Sequence, residues 1–244
     1  MSFIPVHSWA EARTVDPTRK SVRLYVWQLP VRISHWVAVL CIAVLSFTGY
    51  YMHNPFIISR GENAYLMGTM RFIHLTTASV FVGAFLLRMY WFLHGNKWSR
   101  WSAFLPLKRK QWQGIGHMVS YYSFLRRDLV HVIGHNALAA VTYMFMFFLM
   151  FVEILTGLAL YSMTLSSPLL TALIGWLPRL IDIQYLRLTH FCVMFGFFTF
   201  VIHHVYSAVL VSWEERNGLI ESIFTGYKFM PETELEELGQ NEVK

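Results

Sequence analysis

Between Arg187 and Val211 the chain runs RLTHFCVMFGFFTFVIHHVYSAVLV, with no acidic or basic side chain after Arg187 apart from three histidines. A helix in lipid satisfies its own backbone, so an imidazole buried in one is costly unless it has a task. His190 and His204 are 14 residues apart, which on a helix puts them about 40° apart around the axis and about 21 Å apart along it. One stripe of one helix therefore offers imidazole nitrogen at two depths. His203 points about 140° away from His190, although a bend in the helix would exchange its role with that of His204. The chemistry this spacing suits is axial ligation of two stacked haems, with His190 and His204 each supplying one ligand.

The rest of the chain must then supply their partners. At 244 residues, with 55% hydrophobic, 17% aromatic and only 14% charged side chains, it reads as a polytopic membrane protein. Four runs are long enough to span a bilayer, at about 33–52, 72–93, 137–161 and 187–211. They predict an all-α fold: a four-helix transmembrane bundle over 33–211, an N-terminal arm over 1–32 and a C-terminal tail over 212–244. The formal charge of +6 does not indicate nucleic acid, because the basic residues flank spans instead of forming a patch with its own fold. Cys41 and Cys192 fall inside spans as small apolar residues. No CxxC or CxxCH motif points to zinc, an iron–sulfur cluster or covalent haem. Nothing in residues 1–32 reads as a signal peptide.

Charge sets the orientation. The arm carries Arg13, Arg19, Lys20, Arg23 and Arg32 against Glu11 and Asp16. The 94–135 loop carries Lys97, Arg100, Lys108, Arg109, Lys110, Arg126 and Arg127 against Asp128. The loops 53–70 and 162–186 hold only Arg60 and Glu62, and Arg179 and Asp182. The positive-inside rule puts the arm, the 94–135 loop and both chain ends in the cytoplasm. The acidic tail (Glu232, Glu234, Glu236, Glu237, Glu242) reads as a solvated end, and the tryptophans Trp27, Trp36, Trp91, Trp98, Trp101 and Trp112 as an ordinary interfacial belt.

Depth now pairs the histidines. His74 and His190 open their spans on the outer side; His35 opens the first span on the inner side, and His204 lies near the inner end of the fourth. The expected pairs are His74 with His190 outside and His35 with His204 inside. Arg32, Arg71 and Arg187 each stand three residues before a histidine (RISH, RFIH, RLTH). Each guanidinium would lie one turn nearer the interface, suited to a haem propionate. Arg88 is 14 residues after His74 and Gly49 is 14 after His35, each on the same stripe at the depth of the other haem. At Gly49 a missing side chain would let the macrocycle approach the backbone. Phe197 and Val201 fall on the stripe between the fourth-span ligands.

Plainer readings stand beside these. A histidine at a span end is ordinarily interfacial, as expected for His7, His53, His94 and His117, and a basic residue there snorkels to headgroups. His203 would pack or donate a hydrogen bond. His131 and His135 form an i, i+4 pair that could bind a metal, with no further ligand nearby. Glu153, deep in the third span, is a functional candidate or a hydrogen-bond partner of Thr156 or a neighbouring helix.

LPVRISHW, FTGYY, YLMGTMRFIH, RMYWFLHGNKWSRW, IGHNALA, RLTHF and HHVY, in that order over residues 27–228, resemble the b-type cytochrome subunit of membrane-bound nickel–iron hydrogenases. That family is similar to the cytochrome b subunits of respiratory formate dehydrogenases, and YWFLHGN with its basic loop is closer to the hydrogenase branch. The resemblance implies two haems b ligated by His35, His74, His190 and His204. The His203–His204 doublet departs from a family that usually shows one histidine before VY. It also implies a multi-pass protein of the bacterial inner membrane, an electron-transfer subunit in an oligomeric complex with no hydrogen-splitting site of its own. Its partners would be the iron–sulfur small subunit, through it the large nickel–iron subunit, and quinone. Electrons would pass through the outer and then the inner haem to quinone, at a site near His135, Asn136, Arg88 and Tyr206. The alternatives are a formate dehydrogenase or similar molybdoenzyme as partner and, from another class, a non-haem membrane anchor or transporter, against which the absence of broken helices and inverted halves counts.

Overall fold

The structure is a computed structural model and describes residues 21–232 apart from 58–60, 62–63, 108, 127–131, 165–166 and 216. His7, His131, the arm residues Glu11, Arg13, Asp16, Arg19 and Lys20, the loop residues Arg60, Glu62, Lys108, Arg127 and Asp128, and the tail acids from Glu234 onward lie outside the described residues.

The elements run β1 (Ser21–Tyr25), α1 (Leu29–His53), α2 (Leu66–His94), α3 (Arg109–Tyr122) and α4 (Ala137–Ser162). Then follow α5 (Pro168–Ile174), α6 (Leu177–Leu180), α7 (Ile183–Glu215), α8 (Leu219–Thr225) and β2 (Tyr227–Pro231). Helices α1, α2, α4 and α7 are each long and apolar enough to cross a membrane. Local chemistry sets their ends. Pro30 sits in the first turn of α1, where its fixed φ fits and its missing N–H is not needed. The Asn136 side chain caps α4 by accepting from the Ala139 N–H at 2.8 Å, and Asp182 accepts from the Gln184 N–H at 2.7 Å where α7 begins. Past the end of α7, Gly218 adopts a left-handed φ of 74° that glycine takes without strain.

Each helix begins at or before the start of its apolar run and ends beyond it, because hydropathy marks what lipid can cover while a helix continues to the next backbone stop. At 33 residues α7 is about 50 Å long, well beyond the ~30 Å of a hydrocarbon core.

Helix α1 lies along α2 and α4 along α7, whereas the two hairpins meet each other sparsely. A seam therefore runs between them. At the face where the described residues begin and end, here the terminal face, β1 and β2 pair antiparallel with Ser21 opposite Pro231 and Tyr25 opposite Tyr227. Arg23 lies over the Tyr227 ring, 3.7 Å from its centre. Leu24, Val26, Trp27, Val31, Ile133 and Met230 form a small core beneath this sheet. Two short strands thus add to the helices, and β2 packs against residues 21–27 at the start of the described chain. The HGN stretch fastens α2 to the same place: Asn96 donates from Nδ2 to the Val26 carbonyl and from its backbone to Gln28 Oε1, both at 2.8 Å.

Candidate functional site

Four histidines face one another in two pairs across the seam. His74 on α2 and His190 on α7 have ring centres 6.4 Å apart. His35 on α1 and His204 on α7 have ring centres 6.3 Å apart. The fourteen-residue stripe of α7 thus meets a different helix at each of its two depths. His203 turns away toward α3, its ring 5.6 Å from that of Tyr122.

The far pair sits in a matched cradle. The Thr48 hydroxyl donates to the Val44 carbonyl at 2.8 Å and lies 2.9 Å from His74 Nδ1. Thr156 repeats this on α4, donating to the Val152 carbonyl at 2.8 Å and lying 3.0 Å from His190 Nδ1. A hydroxyl has one proton, and here the helix carbonyl takes it. Each threonine oxygen can then accept from an Nδ1–H, the tautomer that leaves the Nε2 lone pair of both rings free for a metal. The next residue in each case is glycine. A Cβ on Gly49 would stand 3.3 Å from His74 Cε1, and one on Gly157 would stand 3.1 Å from His190 Cε1. The missing side chain at Gly49 thus makes room for the His74 imidazole. Glu153 turns toward α7: its Oε1 is 3.4 Å from His190 Nδ1, and its Oε2 is buried without a hydrogen-bond partner.

The near pair is held differently. The Tyr143 hydroxyl is 3.4 Å from His204 Nδ1, Phe200 stacks on His204 with ring centres 5.3 Å apart, and His35 Nδ1 is buried without a partner. Beside it lies His135, against the rings of Trp27, Phe104 and Tyr143 with centres 4.6, 5.0 and 4.9 Å away. Burial, helped by Lys228, Arg88 and His204, holds the His135 imidazole down to about 3, so it is neutral at physiological pH. Arg88 is 7% exposed; its guanidinium lies 4.1 Å from the Phe92 ring centre and donates to the Ser99 carbonyl at 3.2 Å. Gly134 admits Trp98, whose Cδ1 would lie 2.8 Å from an added Cβ. Tyr206 is exposed and lies with Tyr121 and Tyr122 of α3.

These pairs fit haem. With ring centres 6.3–6.4 Å apart, each pair leaves room for one metal that both imidazoles would hold. Among the described residues no group of three or more His, Cys, Asp or Glu side chains could hold a metal ion. Two histidines per site would suit a haem, whose macrocycle completes the iron's coordination. A model of the prokaryotic cytochrome b561 family matches residues 26–226. The chain belongs to the prokaryotic cytochrome b561 family. It is 36% identical over 216 residues to the Escherichia coli K12 probable Ni/Fe-hydrogenase 1 B-type cytochrome subunit, covering 84% of this chain and 90% of that protein. It is 35% identical over 221 residues to the probable Ni/Fe-hydrogenase B-type cytochrome subunit of Azotobacter vinelandii, covering 87% and 91%. It is 35% identical over 216 residues to that of Cupriavidus necator, covering 86% and 88%.

As a cytochrome b561 family member with four helices able to cross a bilayer, the chain is a multi-pass membrane protein of the b-type cytochrome class. Within that cytochrome the three arginines that precede histidines differ in setting. Arg71 and Arg187 are exposed, whereas Arg32 donates to the Phe224 carbonyl at the end of α8 and keeps a buried, unpartnered Nε. Phe197 is buried on the α7 stripe, while Val201 is exposed. Cys41 is buried and Cys192 exposed, both free. Sequence reasoning missed Thr48, Thr156 and Gly157 as partners of the far pair. The repeated Thr-Gly dipeptide in FTG and LTG was the available signal.

Proposed function

We propose that this chain is the haem-carrying membrane subunit of a nickel–iron hydrogenase, linking hydrogen oxidation to the reduction of membrane quinone. The observation that carries this reading is the facing of imidazoles at two depths, 6.4 Å and 6.3 Å between ring centres, in a chain whose relatives bear hydrogenase names. Those names favour hydrogenase over formate dehydrogenase as the partner. One haem b is held by His74 and His190, the other by His35 and His204. Iron with two imidazole ligands supplies one-electron transfer with little rearrangement and no open position for oxygen.

The chain's own residues do the rest. Thr48 and Thr156 fix the tautomer and ring angle of the far-pair ligands. Arg71 and Arg187, one turn outward of those ligands, and Arg32 through its free Nε supply donors for propionate carboxylates. The basic arm and 94–135 loop put the terminal face in the cytoplasm. The His74–His190 pair then lies on the outer side, toward the hydrogenase small subunit and through it the large one. His135 and Asn136 lie at the cytoplasmic start of α4, where a quinone would draw protons from the cytoplasm, with Arg88 beside His135 as a fixed cation. Tyr206, beside Tyr122, is a further candidate donor for this site.

Because Asn136 also caps α4, alanine there removes a cap worth about 1 kcal/mol and confuses the test. His135→Gln and Asn136→Ser keep a polar side chain and a cap. Hydrogen-driven quinone reduction by the complex is expected to fall at least about tenfold in each, while hydrogen still reduces the haem. Unchanged quinone turnover and unchanged inhibitor binding in both variants would show that the quinone binds elsewhere.

A further inference from the structure

At the terminal face one ammonium group occupies a place where charge is costly. Lys228 on β2 is 1% exposed, and its Nζ donates to the Gly134 carbonyl at 3.5 Å. Strand pairing holds it there: the register sets Lys228 opposite Leu24, and Leu24 and Met230 anchor the two strands in the small core. A lysine that served only solubility would snorkel outward. This one points into the protein beside His135, whose Nδ1 is buried with no hydrogen-bond partner. Glu215 at the end of α7 bears on Lys228, and Arg88 from α2 and His204 from α7 bear on His135.

We propose that Lys228 is the proton-loading residue for quinone reduction, passing protons taken up from water at the terminal face through His135 to the quinone oxygens. The inference rests on the quinone-reducing reading given above. Quinone takes two electrons, delivered from hydrogen, and two protons, one on each carbonyl oxygen. For each proton an N–H bond of the Lys228 ammonium breaks and one forms at His135 Nδ1. The N–H on the other ring nitrogen breaks as an O–H forms on the quinone. The neutral amine regains its proton from water, and the imidazole returns to its starting tautomer by exchange with water. Burial holds the Lys228 ammonium down to about 8, with Glu215 pulling it back up, so it can both release and recover a proton near neutral pH. Arg88 cannot do this, since a guanidinium keeps its proton; it positions the pair electrostatically.

The test compares the complex containing the full chain with its Lys228→Met and Lys228→Arg variants. Haem content, hydrogen-driven haem reduction, and the pH profile of hydrogen-driven quinone reduction are measured for each. Both variants are expected to keep their haem and its reduction by hydrogen, yet to lose at least about tenfold in quinone turnover. The wild-type rate should fall as pH rises through about 8, and that limb should vanish in the variants. Arginine preserves charge and length but does not release a proton, so it separates proton transfer from mere charge. A Lys228→Arg complex with the wild-type rate and pH profile, or a Lys228→Met complex with undiminished turnover, overturns the inference alone. Loss of haem from both variants assigns Lys228 to folding and also overturns it. A wild-type complex that reduces its haem with hydrogen but never reduces quinone overturns the quinone-reducing reading itself.

Discussion

Replacing His190 by alanine is expected to lower the haem b content of the purified chain from two per polypeptide to one. His74 would lose the imidazole ring that faces it at 6.4 Å, whereas His35 and His204 keep theirs at 6.3 Å. With His74 alone to hold it, a haem there would be weakly retained in a seam that the two hairpins barely close. His204→Ala should give the reciprocal loss, sparing the far pair. His203→Ala should retain both haems, because that ring faces Tyr122. Haem per polypeptide, read from absorbance against protein mass, checks all three. A His190→Ala chain that kept two haems would mean that another residue holds the far one.

Valine at Gly157 is the second large effect. A Cβ alone would meet His190 Cε1 at 3.1 Å, closer than ordinary packing allows, and valine adds two methyl groups fixed close to the helix backbone. The imidazole cannot yield easily, because Nδ1 is held by Thr156 at 3.0 Å. The expected result is loss of the far haem as complete as in His190→Ala, with the near haem and the fold retained. Gly157→Ala should keep the haem with a shifted spectrum, since a few tenths of an ångström would relieve it. Gly49→Val acts on His74 in the same way but from 3.3 Å, so its effect should be smaller. Full haem content in Gly157→Val would show that His190 is not held where α4 constrains it.

The facing histidine pairs were legible because α7 is one unbroken helix. Over such a helix fourteen residues fix both angle and height, and the positions of His35 and His74 at span ends fixed their depths. The threonine–glycine cradles were not legible in the same way. They depend on how α1 is rotated against α2 and α4 against α7, and spacing along one chain segment carries no information about that rotation. The arginine pattern shows the same limit: three identical spacings yield two exposed side chains and one bound to the Phe224 carbonyl. Trp27 read as one more belt residue, yet it is buried, donating to Ser222 Oγ at 3.0 Å and packing on His135. Lys228 falls in the C-terminal stretch 212–244, where the sequence singles out no role for it. Its burial comes from a strand partner some two hundred residues earlier, and a five-residue strand has too little pattern to reveal itself without that partner.

The claim beneath all of this is that one chain holds two b haems between facing histidines at two depths. Haem iron per intact, purified polypeptide measures it most directly. The account predicts two, both of b type and both reducible; a value of one, or colourless folded protein, would contradict it.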